Sequence, residues 1–498
     1  MTMRAAESQE RLLNASNEDF ENTEGSTHSN GDNRLIINSI VEDETDDPTR
    51  TRQPKTCGER FKTIVTVEPV LFLYFLAFIP TIPLTQQYVH QYFSQEYNLT
   101  GPQSHHNACS TNASHDPVEE KVQQETSQYM MYLNIANFLP SVFTLLFVGA
   151  YTDKAGRKTV LLMPMVAGIL KSLVFVIVIQ LQLSVHYLLI GNIIDGLSGG
   201  ATTVVTACFA YVADITSERQ RSIRIFALEL GISFGIALSQ IYTGYMIESL
   251  GYVYPFLLTE FIYAIDMFFI IIYIKDSISP DLNAKFIDLD HLKRTIGLFV
   301  KDTTLKRRWK LQLLITIVLL NYMVDIGSGD VYTIYTLAPP FCFSPILVGY
   351  FSAAQYCLRV IGSMVFLKIF QNFLSDVVMM MFGSTSGIAA QAVMAIAMTK
   401  VLIFISPVVG ILTSLVVPLV RSVCSKLVSP DEQGAVSASI SLAQQTAFLL
   451  GSLVFNTVYT QTVSIYRGIV FIVTGSVYGI SLLLMIFLFI RDRRMNST

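Results

Sequence analysis

From Val67 to Ile490 the chain is a succession of about a dozen apolar stretches, each of roughly 20 residues, separated by short loops. At about 1.5 Å of rise per residue, roughly 20 residues cross a ~30 Å hydrocarbon core. Backbone in lipid must satisfy its own hydrogen bonds, so the stretches are expected to be helices and the protein an all-α polytopic membrane protein. Of 498 residues, 51% are hydrophobic and 14% charged, with a mean hydropathy of +0.47, more apolar side chain than a soluble chain of this length can hide.

The net charge of -4 says little as a total, because acids and bases are segregated. Lys and Arg crowd the segment before the first span, the loop at 152 to 158, the central loop from Lys275 to Lys310, and the last residues, Arg491, Arg493 and Arg494. The positive-inside rule therefore puts both termini in the cytosol. Between His90 and Gln128, Lys121 is the only Lys or Arg, against Glu96, Asp116, Glu119, Glu120 and Glu125, so this segment is expected outside or in a lumen. Of the four Asn-x-Ser/Thr matches, Asn14, Asn98, Asn112 and Asn496, only Asn98 and Asn112 lie on the side where glycosylation takes place.

Helices are expected at 67 to 89, 129 to 151, 159 to 180, 186 to 213, 222 to 247 and 252 to 274, then at 310 to 336, 346 to 369, 377 to 398, 401 to 424, 434 to 459 and 465 to 490. This divides the chain into a polar tail at 1 to 64 without a signal peptide's apolar run, a half at 65 to 274, a basic loop at 275 to 309, a half at 310 to 490 and a tail at 491 to 498. The composition of the first tail predicts disorder.

Cys57, Cys208, Cys357 and Cys424 fall in the tail or within spans, where thiols behave as small apolar groups. Cys109 and Cys342 fall in loops expected outside the cytosol. One such pair in an oxidising compartment reads as a disulfide, and two unpaired surface thiols are the alternative.

Charges within spans are expensive and persist where they meet a partner or a wet cavity. The candidates are Lys171, Asp195, Glu229, Glu260, Asp266, Asp325, Asp330, Arg359 and Arg421. Lys171 is able to snorkel, and for Lys171, Glu260 and Asp266 alike a structural polar contact is expected rather than a site. Glu229 lies in a helix with small residues at Gly231, Ser233 and Gly235, where it either takes a proton from an acidic side and releases it on a neutral one, or stays in a permanent ion pair. Arg421 has the planar donor fork that suits a substrate carboxylate, if it is not a span-end Arg paired with Asp431 or Glu432. Asp325 and Asp330 flank Gly327 and Gly329 on what reads as an interrupted helix, an arrangement suited to a transport path.

The loop Thr152-Asp153-Lys154-Ala155-Gly156-Arg157-Lys158 resembles the gating motif of the major facilitators between their second and third spans, and six spans, a basic loop and six more match that fold of two six-helix halves. In it Gly156 permits a tight turn, while Asp153 and Arg157 are expected to form ion pairs across the cytosolic face, with Asp214 at the end of the fourth span. More specifically, the chain resembles solute carrier family 46. The matching residues include Val67-Glu68-Pro69, Pro83-Leu84-Thr85, Tyr132-Leu133-Asn134, Val212-Ala213-Asp214, Tyr335, Cys342, Gly349-Tyr350, Ser425-Lys426-Leu427-Val428 and Glu432-Gln433-Gly434. The resemblance implies that Glu229 is the proton-coupling carboxylate, that Arg421 meets substrate, and that Cys109 pairs with Cys342. Asp325 and Asp330 stand as further proton-coupling candidates, and Gly200, Thr202 and Tyr335 as substrate-side residues.

Two departures bear on substrate. Where the family's folate-transporting pattern has a fourth-span Asp and a seventh-span His, this chain has Gly200 and Asp325, which puts folate recognition in doubt. The run Thr202-Thr203 with Cys208-Phe209-Ala210-Tyr211 resembles more the lysosomal branch associated with steroid conjugates. The expected function is a proton-coupled symporter of an organic anion, folate-like or conjugated. The alternatives are a proton-independent facilitator or antiporter, or a receptor or scaffold. No Walker loop, HExxH or Cys-x-x-Cys points to an enzyme. The expected partners are a small organic anion, protons and the bilayer of a plasma or endolysosomal membrane, with no cofactor, metal or nucleic acid, in a monomer or weak homo-oligomer.

Overall fold

The computed structural model describes residues 66–98, 117–216, 218–277, 281, 286, 305–325, 327–428 and 433–496. Among these, twelve helical segments are long and apolar enough to cross a membrane. The expected tail at 1 to 64, Cys57, Cys109, Asn112, Asp431 and Glu432 lie outside the described residues, as does the side chain of Asp153.

The first span is α1 (Glu68–Phe78) followed by α2 (Thr81–Glu96), the second α3 (Pro117–Ala155) and the third α4 (Arg157–Gln180). A 3-10 turn, α5 (Leu188–Leu197) and α6 (Gly200–Ile215) make the fourth, α7 (Glu218–Leu250) the fifth and α8 (Val253–Tyr273) the sixth. The seventh is α9 (Leu305–Asp325) with α10 (Gly329–Leu337), followed by α11 (Pro345–Phe370) and α12 (Asp376–Ala395). The tenth is α13 (Lys400–Val409), a 3-10 turn and α14 (Val416–Leu427), and the last two are α15 (Gln433–Thr462) and α16 (Ile469–Asn496).

Spans one, four, seven and ten are all broken, every third helix, which is the mark of nested three-helix repeats. Each break has a local cause. Pro80 lacks the N–H to continue α1, Gly199 enters the left-handed region at φ 75°, and the tenth carries Pro407 before Gly410. In the seventh, α9 stops at Asp325 and α10 resumes at Gly329, the interruption expected from Gly327 and Gly329. The second span corrects the sequence reading: α3 starts at Pro117 rather than near 129, because Pro at a helix start followed by Val-Glu-Glu-Lys-Val-Gln-Gln carries the helix well beyond the apolar stretch.

Twelve spans return the chain to the side it started from, so we call that side the terminal face and the other the far face. Buried side chains divide along this axis. On the far side one core joins both halves, running from Leu84, Phe93 and Tyr129 to Tyr332, Phe351, Phe455 and Phe471. On the terminal side there are two, one built only from the N-terminal half around Tyr74, Val204 and Tyr263, the other only from the C-terminal half around Leu314, Val420 and Met485. The halves are thus packed together at the far face and carry separate cores at the terminal face, the arrangement of a carrier closed on its far side.

Candidate functional site

Between the halves lies a cavity enclosing about 1200 Å³ of empty space, its open part included. Its walls come from the broken spans and their neighbours: Thr81 to Gln86 of α2, Asn134 and Phe138 of α3, Lys171 of α4, Asp330 and Tyr332 of α10, and Phe448 of α15 are among the lining residues. Apolar and aromatic surface mixed with a few polar groups is the ordinary make-up of a small-molecule site.

At its far side, Asp330 is buried and accepts hydrogen bonds from three amides. Gln86 Nε2 donates to Oδ1 at 2.7 Å, while Asn134 Nδ2 and Asn456 Nδ2 donate to Oδ2, the latter at 3.1 Å. Ser452 Oγ accepts from both asparagines, and Ser127 Oγ donates to Asn456 Oδ1 at 3.1 Å. Gln86, Asn134 and Ser127 belong to the first half, and Asp330, Ser452 and Asn456 to the second. A carboxylate therefore ties the halves together, and amides rather than a cation satisfy it.

Asp325, five residues earlier, is held within the C-terminal half. Tyr478 Oη donates to its Oδ1 at 2.6 Å and Arg359 Nη1 pairs with the same atom at 3.4 Å. The N-terminal half has a counterpart. Lys171 is buried, its ammonium 2.8 Å from Asp195 Oδ2, to which Asn137 also donates at 2.9 Å. Lys171 lies mid-helix on α4 and lines the cavity, so it makes the polar contact expected of it, to Asp195, instead of snorkelling to a span end. Asp266 is fully buried with neither oxygen hydrogen-bonded, so the polar contact expected for it is not made, while Glu260 is half-buried.

The floor of the cavity is aromatic. Phe138 of one half stacks on Phe448 of the other at 5.1 Å and 13°, and Tyr322 meets Phe448 edge-on at 5.8 Å. Glu229 and Arg421 are not among the cavity-lining residues. Glu229 is carried by α7 and Arg421 by α14. Arg421 Nη2 donates to Gln444 Oε1 at 2.9 Å, and among the described residues no ion pair closes on Glu229.

Three other sequence candidates stand off the cavity. Thr202 Oγ1 donates to Gln445 Oε1 at 2.9 Å, and Gln445 Nε2 donates to Ser141 Oγ at 2.8 Å, a second polar tie between the halves. Tyr335 is buried in the far-side core against Phe341 and Phe471, donating to backbone carbonyls of Met394 and Ala397. Gly200 is buried at a left-handed turn, and a Cβ there would lie 3.9 Å from Asp195 Oδ1. Asp195, itself paired with Lys171, is thus a carboxylate adjacent to that position.

The motif loop is organised as expected in part. Arg157 Nε donates to Asp214 Oδ2 at 3.0 Å, and Ser277 Oγ donates to the same oxygen at 2.7 Å. Gly156 takes φ 92°, and a Cβ there would come within 2.7 Å of Asp276 Oδ1, which accepts from Lys158 N at 2.8 Å. These bonds tie spans three, four and six together, and the expected pairing of Arg157 with Asp214 is made. In the core division seen here the terminal-face ends belong to separate bodies. On the far side, Asn98 is exposed at the end of α2, and Cys342 is disulfide-bonded.

Sequence reasoning attended to charges and missed the amides Gln86, Asn134, Asn137 and Asn456, as well as Asp276, Phe138 and Phe448. Amides inside apolar spans were the available signal. The aromatic pair had none, since Phe is common in every span.

The Major Facilitator Superfamily model matches residues 69–452. The chain is 30% identical over 419 residues to a proton-coupled folate transporter of Bos taurus, covering 84% of this chain and 91% of that one. It is 27% identical over 426 residues to a lysosomal proton-coupled steroid conjugate and bile acid symporter of Gallus gallus, covering 83% and 92%. Among solved structures, the human organic anion transporter MFSD10 superposes with a TM-score of 0.61 at 17% identity, over 87% of this chain and all of that one.

Proposed function

Because the chain belongs to the major facilitator superfamily and, within it, to solute carrier family 46, we propose that it is a proton-coupled symporter of an organic anion, either folate-like or a conjugated organic solute. The family is one of transporters, not enzymes, and the protein is a multi-pass membrane protein. The observation that carries the reading is Asp330, a buried carboxylate on the cavity whose amide donors come from both halves; Glu229, off the cavity, is the second titratable group of the proposed cycle.

Asp330 accepts from donors of both halves, so a proton on it turns one acceptor oxygen into a donor and loosens the tie to Gln86 and Asn134. That is the behaviour required of a far-side gate that opens to acid. Glu229 works from the other side. Deprotonated, it is attracted to Arg421; protonated, it leaves the guanidinium free to attract the substrate's anionic group. Asp325, held by Tyr478 and Arg359, is the third group able to carry the proton. Protons are the coupling ion and no further cofactor enters the scheme. Arg157 with Asp214, Asp153 and the turn at Gly156 form the terminal-face gate of the N-terminal half, and Thr202 with Gln445 a latch below the cavity.

The positive-inside argument makes the terminal face cytosolic and the far face extracellular or lumenal. On that side Asn98 and Asn112 would be glycosylated and Cys109 would be the partner of Cys342. The test is uptake into vesicles with an acidic outside and a neutral inside, using folic acid, a steroid sulfate and a bile acid as probes. Accumulation that needs the pH gradient is expected. Uptake that merely equilibrates, with or without acid, would leave a facilitator.

A further inference from the structure

One cation of the cavity has no role in that scheme. Lys171 lines the cavity, and its side chain is 11% exposed against 4% for its partner Asp195, which is not a lining residue. An ammonium has three donor hydrogens, and among the described residues only one of them is used, on Asp195 Oδ2. Around it stand Asn137 and Asn192, whose amides also line the cavity, and Phe78, whose ring lies 6.0 Å from the ammonium. Arg359, which is not among the lining residues, shares the carboxylate of Asp325 with the hydroxyl of Tyr478, and Arg421 is not among the lining residues either.

We infer that Lys171 is the anion anchor of the cavity, and that Asp195 is the counter-ion that a substrate carboxylate or sulfate displaces, taking up a proton as it is displaced. The inference rests on the proposed proton-coupled anion symport. Its argument is charge balance in a poorly solvated wall. A displaced Asp195 would be an uncompensated buried charge, which costs several kcal/mol. One proton removes that cost, so anion and proton enter together and the site stays neutral throughout. Tyr74 of α1 and Tyr263 of α8 lie within electrostatic reach of Asp195, with Asp266 of α8 near both tyrosines, Tyr242 of α7 near Tyr263 and Cys208 of α6 near Asp266. Facing from α3 is the amide of Asn137. Among the described residues no second cation is paired with Asp195, so nothing else would neutralise it.

The experiment measures binding of a steroid sulfate and of folic acid to the purified full-length protein by ligand-induced thermal shift, at acidic and neutral pH, with vesicle uptake alongside. Lys171→Gln is expected to weaken anion binding at least tenfold at both pH values, and Lys171→Arg to restore most of it, which separates loss of charge from loss of fold. Asp195→Asn is expected to bind the anion as well at neutral pH as at acidic pH. Full anion affinity in Lys171→Gln, with acid-driven uptake by the wild type intact, overturns the inference and leaves symport standing. A wild-type pH dependence in Asp195→Asn overturns the proton exchange. Wild-type anion binding and uptake that ignore pH overturn both the inference and the symport reading.

Discussion

Gln86 of α2 donates to Asp330 of α10 at 2.7 Å across the boundary between the two halves. Asp330 accepts two further amide donors, and hydrogen bonds to a charged group are worth about 1.5–3 kcal/mol each. Asparagine at this position offers a single acceptor oxygen and turns an NH2 toward donors. Asp330→Asn is therefore expected to weaken far-side closure, raising labelling of a cysteine placed at Thr333 by a membrane-impermeant reagent applied from the far side. Uptake should fall at least tenfold. Unchanged labelling would show that the aromatic and aliphatic core holds the closure without the carboxylate.

Among the described residues Glu229 has no ion-pair partner. Glutamine imitates only the protonated form. Glu229→Gln should exchange internal for external substrate at a near-normal rate yet fail to accumulate it when the outside is acidic. If the variant still concentrates substrate, coupling lies with Asp330, Asp325 or Asp195.

Phe138 and Phe448 close the cavity toward the terminal face. An aromatic pair adds about 0.5–1.5 kcal/mol beyond its buried area, so Phe448→Ala should raise KM by roughly 2- to 10-fold, with a smaller change in maximal rate. A fall in rate with KM unchanged would assign the pair to the conformational step instead of to the substrate's surroundings.

Gly156 holds φ 92° with Asp276 Oδ1 2.7 Å from where a Cβ would be. Strain of this kind costs about 1–3 kcal/mol, and the clash would push Asp276 off the amide of Lys158. Gly156→Ala should lower the melting temperature in detergent and weaken the Arg157–Asp214 region without abolishing anion binding. A melting curve matching the wild type would mean the turn relaxes freely.

The span pattern was legible because lipid imposes it, as was the interruption between Asp325 and Gly329, whereas the breaks at Pro80 and Gly199 lie inside stretches that hydropathy reads as continuous helices. The far end of the second span was not legible either, since Pro117 to Gln128 is polar helix beyond the apolar stretch, and hydropathy is blind to it. Within the site, Asp330 and Arg157 with Asp214 could be read from charge and motif. Lys171 with Asp195 could not, because pairing across 24 positions depends on which faces of α4 and α5 meet. The same holds for Gly200, whose neighbour is set by a left-handed turn and not by alignment.

Cys342 is disulfide-bonded in the loop between α10 and α11. That loop is also held by its own backbone: Cys342 N donates to Ala338 O at 3.1 Å and Phe343 N to Thr336 O at 3.0 Å, while Arg467 Nη1 donates to Pro339 O. With these bonds in place, the loop keeps its course without a cross-link. If Cys109 is the partner, a protein cut at a protease site inserted in the central basic loop should run as one species without reductant and as two fragments with it. Cys109→Ser should then separate into two fragments in both conditions while retaining at least half of wild-type uptake per molecule at the membrane, with the larger loss in yield. Two fragments from the wild type without reductant exclude the pairing, and loss of uptake at normal surface amount would make the cross-link part of the transport cycle.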